Sequence, residues 1–185
     1  RDVRFDRVRN RPARFFIFWM VQAAWILITA LPVYLINAKR VPEGQPGAEL
    51  SEKLDSTFSG RDVIGWAIWV FGFLVETIAD AQKSAFRSNP SNSNKWIDTG
   101  LWSVAEAPNY GGEICQWVGL FLSCSSAFTH PMEYMSIISP LFVYFLLSRV
   151  SGLPLLRKRN MKRWGNNPEY LAYLDRTYTF IPLPF

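Results

Sequence analysis

Histidine is almost missing from this chain of 185 residues: the one imidazole, His130, stands beside Pro131 at a turn. A single imidazole with no cysteine cluster cannot build a zinc site from the ligands on offer. Cysteine is nearly as scarce. Cys115 and Cys124 lie nine apart in an apolar run, form neither CxxC nor a His-bracketed pattern, and read as small buried side chains. Charged residues make up only 19% against 49% hydrophobic, which excludes a disordered polar segment. No internal repeat or low-complexity tract is present.

What is present is unevenly placed. The mean hydropathy of +0.03 has the value of a soluble protein, yet six of the 20 basic residues lie in the first fourteen positions and seven from Arg149 onward. The stretches between are nearly free of charge. Aromatics reach 16%, with 8 Trp and 14 Phe, a composition suited to side chains set against lipid and its interfaces. The net charge of +5 flanks apolar runs and forms no soluble patch, so nucleic acid is excluded as a partner and membrane lipids take its place.

Residues 15–36 form 22 positions without a formal charge, enough to cross a bilayer as a helix, with Pro32 at the place for a kink or an exit. The segment is too long for a signal peptide and lacks a small-residue cleavage site. Residues 63–79, 114–128 and 134–150 are further spans. With four crossings, Lys plus Arg divides 16 against 4 between the two faces. That asymmetry obeys the positive-inside rule and puts the basic loops on the cytoplasm-like side. The expectation is an all-α, multi-pass transmembrane helix bundle, one membrane domain over 1–185. A linker spans 38–60, and residues 151–185 form an interfacial amphipathic tail, its basic residues alternating with Trp164, Tyr170, Tyr173, Tyr178 and Phe180.

Chemistry concentrates at the basic face. Past Val75 the helical pattern continues through Glu76, Asp80, Lys83 and Arg87, at i, i+4, i+7 and i+11, which is one stripe at 3.6 residues per turn. Glu76 and Asp80 repel unless a shared polar object sits against them. That object is either other protein groups or a ligand with phosphates and ribose hydroxyls, for which Arg is the fork and carboxylates the hydroxyl acceptors. A second cluster is Ala105-Glu106-Ala107-Pro108-Asn109-Tyr110-Gly111-Gly112-Glu113, leading into the third span. Its proline and glycines allow a sharp turn at the membrane face, where a helix N-terminus offers N–H groups to an anion. Glu113 and Gln116 stand at the mouth of the apolar segment, where a carboxylate is functional or meets Lys83, Arg87 or Arg149 in an ion pair. Arg149 closes the fourth span, and Ser151-Gly152-Leu153-Pro154 turns the basic run 157–163 back over the same face.

These residues carry a resemblance. Glu76-x3-Asp80-x-Gln82-Lys83-x2-Phe86-Arg87, Thr99-Gly-Leu-Trp102, Pro108-Asn-Tyr110, Gly112-Glu113, Ser139-Pro-Leu, Ser151-Gly-x-Pro-Leu-Leu, Trp164-Gly and Pro168-Glu-Tyr170 resemble the steroid 5-alpha-reductase superfamily. The likeness is greatest to its less characterised branch of small integral membrane proteins and runs from about Asp2 to Pro182. It implies a helical membrane fold that takes NADPH from the cytosolic side and reduces a conjugated double bond of a steroid-like or other lipid enone. Asp80, Arg87 and Asn109 match cofactor-pocket positions, as do Glu113 and Arg149, Glu76 matches a polar position, and Tyr110 is expected to help hold the cofactor beside them. Relatives carry further N-terminal helices that supply much of the sterol cavity and the pair polarising the substrate carbonyl, and this sequence starts downstream of them. One departure stands out. The branch has Ser-Arg-His where this chain has Ala105-Glu106-Ala107, losing a cation and an imidazole and gaining a carboxylate.

Two functions follow: an NADPH-dependent reductase acting on CH–CH groups, or a catalytically degenerate relative that serves as an accessory subunit among other membrane subunits, with lipid in place of the cofactor. The endoplasmic reticulum or an organellar membrane, mitochondrial or plastid, is the expected location. The related methyltransferases that bind S-adenosylmethionine are disfavoured by the absence of a histidine before Pro108.

Overall fold

The computed structural model describes residues 11–39, 46 and 58–180. Most of the expected 38–60 linker, the basic residues of 1–10 and the last five positions lie outside the described residues. Helix α1, Pro12–Thr29, opens on a proline whose missing N–H costs nothing in the first turn. The expected single span over 15–36 is two helices. Ala30, with φ −87° and ψ 2°, separates α1 from α2, Leu31–Asn37. Pro32 explains the break, because its ring removes a backbone donor and crowds the preceding turn. The bend is fastened from outside: Ser139 Oγ donates to the Thr29 carbonyl at 2.5 Å, both residues being buried.

Helix α3, Gly60–Ser88, has 29 residues and is about 43 Å long at 1.5 Å per residue. At its start Ser59 donates from N–H and Oγ to Asp62, at 2.9 and 3.0 Å. The other oxygen of Asp62 accepts from Ser123 (3.1 Å), in the last turn of α4, Pro108–Cys124, and from Ser126 (2.7 Å) just beyond it. The two helices are therefore antiparallel and in contact along their length. Glycines set the distance between them. A Cβ on Gly72 would lie 2.5 Å from the Gly112 carbonyl oxygen, and one on Gly119 would lie 2.5 Å from that of Gly65. In each helix the pair is seven residues apart, two turns on one face, so backbone meets backbone as small residues permit in membranes.

After a 3₁₀ turn over Ser125–Ala127, a second 3₁₀ stretch, Pro131–Ile137, runs into α5, Ile138–Phe145, and then a π-helical segment, Leu146–Val150. Gly152 ends it, since a Cβ there would meet the Leu147 carbonyl at 2.6 Å. Helices α6, Leu153–Trp164, and α7, Pro168–Arg176, follow. No strand occurs among the described residues, which hold one isolated bridge between Ala105 and Tyr178.

Three runs are long and apolar enough to cross a membrane: Pro12–Thr29, Gly60–Ser88 and Pro131–Trp164. Only 6% of the first apolar window and 17% of the second are buried within the protein, so lipid is the natural cover for the rest. The expected third span falls on α4, which at 17 residues is shorter than these. The tail does more than lie flat. Tyr170 and Tyr173 are turned into the protein at 1% and 3% exposure, and the Tyr173 hydroxyl donates to the Trp102 carbonyl at 2.7 Å. Backbone bonds Glu106 N–H to Tyr178 O (2.8 Å) and Ala107 N–H to Thr179 O (3.1 Å) close the tail onto the segment before α4.

Candidate functional site

The charged stripe of α3 divides in two. Its first half is bonded to α4: Gln116 Nε2 donates to Glu76 at 2.5 Å, and Asn109 Nδ2 donates to Asp80 at 3.1 Å. These rungs continue the glycine seam toward the basic end. Beside them Glu76, Glu113 and Gln116 line a hollow of about 290 Å³ between Trp69 and Trp117. Glu113 meets neither Lys83, Arg87 nor Arg149, since the ion pairs among the described residues are Lys39–Glu133 and Arg157–Glu106.

The second half, Lys83 and Arg87, faces a larger hollow of about 430 Å³ enclosed by the end of α3, the segment 92–106 and helices α6 and α7. Its construction starts at Thr99-Gly-Leu-Trp. Gly100 has φ +61°, the left-handed region, and any Cβ there would strike the Gln82 side chain at 2.5 Å. That turn lets Leu101 N–H donate to Gln82 Oε1 (3.0 Å) and lays Trp102 across α3, its indole N–H on the Ala79 carbonyl at 3.0 Å. Lys83 Nζ sits 4.7 Å from the centre of the Trp102 ring, a cation–π contact. On the other wall Trp96 stands 5.3 Å from Tyr170 and 5.9 Å from Trp164 between ring centres.

Five cations line this hollow: Lys83, Arg87, Lys95, Arg159 and Arg163. None is in an ion pair among the described residues. Arg163 is tied to the Ser93 carbonyl and to Asn94 Oδ1 at 3.1 Å. The one carboxylate in the wall is Glu106, and it is already matched. Arg157 donates to its Oε2 from both Nε and Nη2, at 2.8 Å each. The sequence departure at 105–107 is thereby offset, because Arg157 cancels the negative charge that Glu106 introduces.

Three polar atoms of residues in the same wall, Glu106 Oε1, Trp96 Nε1 and the Tyr170 hydroxyl, are buried without a hydrogen-bond partner among the described residues. Each such group costs about 1–3 kcal/mol when left unpaired. Tyr173 is held neutral, its phenol pushed above its ordinary value first by burial and then by the charge of Glu106.

Of the residues singled out in the sequence, Glu76, Asp80, Asn109 and Glu113 gather where α3 meets α4, and Arg87 reaches the larger hollow. Tyr110 packs half-buried on the small core of Ala107, Leu153 and Leu156. Arg149 lies exposed in the π-helical segment and lines neither hollow. The basic run 157–163 does turn back, bringing Arg159 and Arg163 opposite Lys83 and Arg87. Lys95 and Trp96 carried no motif to reveal them, and the Glu106–Arg157 pair joins residues 51 positions apart. Among the described residues no group of His, Cys, Asp or Glu is arranged to hold a metal ion.

The family model described as "Protein of unknown function (DUF1295)" matches residues 1–177. The chain belongs to the DUF1295 family. DUF1295 lies within the steroid 5-alpha-reductase-like group. No curated protein and no solved structure matches the chain. In this DUF1295 protein the two hollows are candidate ligand sites between the helices.

Proposed function

We propose that this DUF1295 protein is a membrane-embedded, NADPH-dependent reductase of a conjugated double bond in a steroid-like or other lipid enone. One observation carries the reading: five cations, none in an ion pair among the described residues, line a hollow of about 430 Å³ walled by Trp and Tyr rings. Cations held this way answer to a polyanion, and aromatic walls answer to a base. Phosphates of the cofactor are assigned to Lys83, Arg87, Lys95 and Arg159. Asp80 and Asn109, bonded to each other, lie on α3 and α4 outside the lining of both hollows, and in this reading their remaining hydrogen-bonding capacity goes to ribose hydroxyls.

When bound, NADPH supplies the hydride for the β-carbon of the enone. This chain's part is to hold and orient. Glu76, Gln116 and Glu113 line the second hollow among apolar side chains, which suits a lipid-like substrate entering from the bilayer, and chemistry of this kind needs orientation more than a reactive side chain. In this reading α4 is a crossing too, the third of four in chain order, since it runs antiparallel along α3, and the 16-to-4 division of Lys and Arg supports a cytoplasm-like side for the larger hollow, in the endoplasmic reticulum or an organellar membrane.

A second reading is an accessory subunit of a membrane complex that has lost activity. The pairing of Glu76 with Gln116 and Asp80 with Asn109 favours it, since polar groups that a ligand could use are engaged internally. Titration of the detergent-purified protein with NADPH, followed by tryptophan fluorescence, separates the two. Saturable binding that is weakened at least tenfold in Arg87→Ala supports the reductase. A flat titration in the wild type, with migration alongside other subunits in a native gel, supports the subunit.

A further inference from the structure

The smaller hollow has two unlike ends. Trp69 stands seven residues before Glu76 on α3, and Leu120 stands seven after Glu113 on α4. The helices are antiparallel, so the indole and the leucine lie on the same side of the two carboxylates, about 10 Å away at 1.5 Å per residue. Glu76 is the first charged residue after the apolar run 63–75, and Trp69 is the middle of that run. The polar end of the hollow is therefore at the edge of the apolar zone and the other end is inside it. Trp117, one turn from Glu113, connects the two. This is the polarity profile of an amphiphile lying head outward in one leaflet.

The charge at the polar end is unbalanced. Gly112, next to Glu113, packs directly on Glu76: a Cβ there would lie 2.9 Å from Glu76 Cβ. The seam thus holds two carboxylates beside one cavity. Glu76 accepts from Gln116 Nε2 at 2.5 Å, an amide that carries no charge. Glu113 is half-buried and joins no ion pair among the described residues. Lys83, two turns along the same stripe, has its Nζ over Trp102 and lines the other hollow. No Lys, Arg or His lines the smaller one. A carboxylate at the edge of lipid is costly unless paired or wet, and a cation entering this hollow answers both at once. The indoles say which cation. Indole faces attract alkylated ammonium groups, whose weak hydration is cheaply given up, and Trp69 is held for such a contact by stacking on Phe73 at 5.4 Å between ring centres. A metal ion is disfavoured, since no group of His, Cys, Asp or Glu among the described residues is arranged to hold one.

Narrowing the lipid-like substrate of the reading above, we infer that the smaller hollow holds the head of a cationic amphiphile. An alkylated ammonium sits among Glu76, Glu113 and Trp117, and its chain runs past Trp69 and Leu120 into the bilayer. Loss of one carboxylate weakens the cation at least about tenfold, well below the limit for a close charge pair because the hollow is open. Loss of an indole costs about three- to tenfold.

The test is binding of radiolabelled dodecyltrimethylammonium to the protein in dodecyl maltoside, read by scintillation proximity, on wild type, Glu113→Gln and Trp117→Leu. Two unlabelled competitors accompany it: dodecyldimethylamine oxide at mildly alkaline pH, with the same chain on an uncharged head, and tetramethylammonium, the head without the chain. The expected result is saturable binding by the wild type, competition at least tenfold poorer by the amine oxide, and affinity lowered at least tenfold in Glu113→Gln and at least threefold in Trp117→Leu. Equal competition by the amine oxide, or unchanged affinity in Glu113→Gln, overturns the cation site. Equal competition by tetramethylammonium overturns the amphiphile and assigns the site to a soluble ammonium compound. Should neither variant fold, the amine oxide comparison decides on the wild type alone. A parallel NADPH titration keeps the two proposals apart: binding of the cation without NADPH removes the reductase and leaves this site, and binding of NADPH without the cation does the reverse.

Discussion

Adding one methyl group at Gly72 tests the packing on which the whole site rests. A Cβ at this position would lie 2.5 Å from the Gly112 carbonyl oxygen, 2.8 Å from Cys115 Cβ and 2.9 Å from the Gln116 backbone nitrogen. Two of these three atoms belong to the backbone of α4 and cannot swing aside. Restoring ordinary contact at 3.4 Å or more requires the helices to part by about 0.9 Å, a gap that forfeits a quarter to a half of each dispersion contact along the seam. Overpacking of this kind costs about 1–3 kcal/mol, and replacing glycine by alanine inside a helix returns about 0.8–1 kcal/mol. Gly72→Ala is therefore expected to lose up to about 2 kcal/mol net and not to gain stability. Gly60→Ala, where nothing lies within 4 Å, is the control and is neutral or slightly stabilising. The double variant Gly65→Ala/Gly72→Ala should lose less than the sum of its parts, because one separation of α3 from α4 relieves both clashes. Unfolding in mixed micelles, followed by far-ultraviolet circular dichroism, reads the wild type, Gly60→Ala, Gly65→Ala, Gly72→Ala and the double variant. A Gly72→Ala variant that gains stability as Gly60→Ala does would refute backbone contact at this seam.

Three further outcomes follow from the larger hollow. Arg157→Ala strands the carboxylate of Glu106, whose side chain is 4% exposed, and should cost about 1–3 kcal/mol. Most of that should return in Glu106→Gln/Arg157→Ala, as measured by the same unfolding assay, because the cost is desolvation of a charge and Arg157 itself is half-exposed and screened. Tyr173→Phe loses the 2.7 Å bond to the Trp102 carbonyl, about 1 kcal/mol. Because folding raises the phenol above its ordinary 10.0, the folded state keeps its proton where the unfolded chain loses it, so wild-type stability falls as pH climbs past about 10 and is unaffected below. Tyr173→Phe should flatten that alkaline slope in a pH series of melts. Arg87→Ala and Arg159→Ala should each weaken NADPH binding about tenfold and lower its salt dependence, since each removes a phosphate partner, which repeating the titration at two salt concentrations will show.

Much of this was written in the sequence in a form that hydropathy and spacing can read. The apolar runs pointed to the three helical runs long and apolar enough to cross a membrane, and the i, i+4, i+7, i+11 stripe set Glu76 to Arg87 on one helix face. What escaped was whatever depends on a second element. The break at Ala30 was masked by an unbroken apolar run, although Pro32 marked its place. The glycine seam left a legible trace, 65 and 72 on one helix against 112 and 119 on the other, yet equal spacing acquires meaning only once the two helices are known to be antiparallel neighbours. Tyr170 and Tyr173 had the composition of headgroup-level aromatics, and their burial follows from the segment 92–106 coming back to meet them. Glu106 looked like a charge reversal because its counter-ion, Arg157, arrives from another helix.

The central claim is that the polar ends of the crossings gather into a hollow that holds a nucleotide. A density map of the protein saturated with NADPH tests it most directly. The account predicts phosphate density against Lys83, Arg87 and Arg159, with the base between Trp96 and Trp102. A lipid headgroup in that hollow under saturating NADPH, or a nucleotide bound elsewhere, would contradict it.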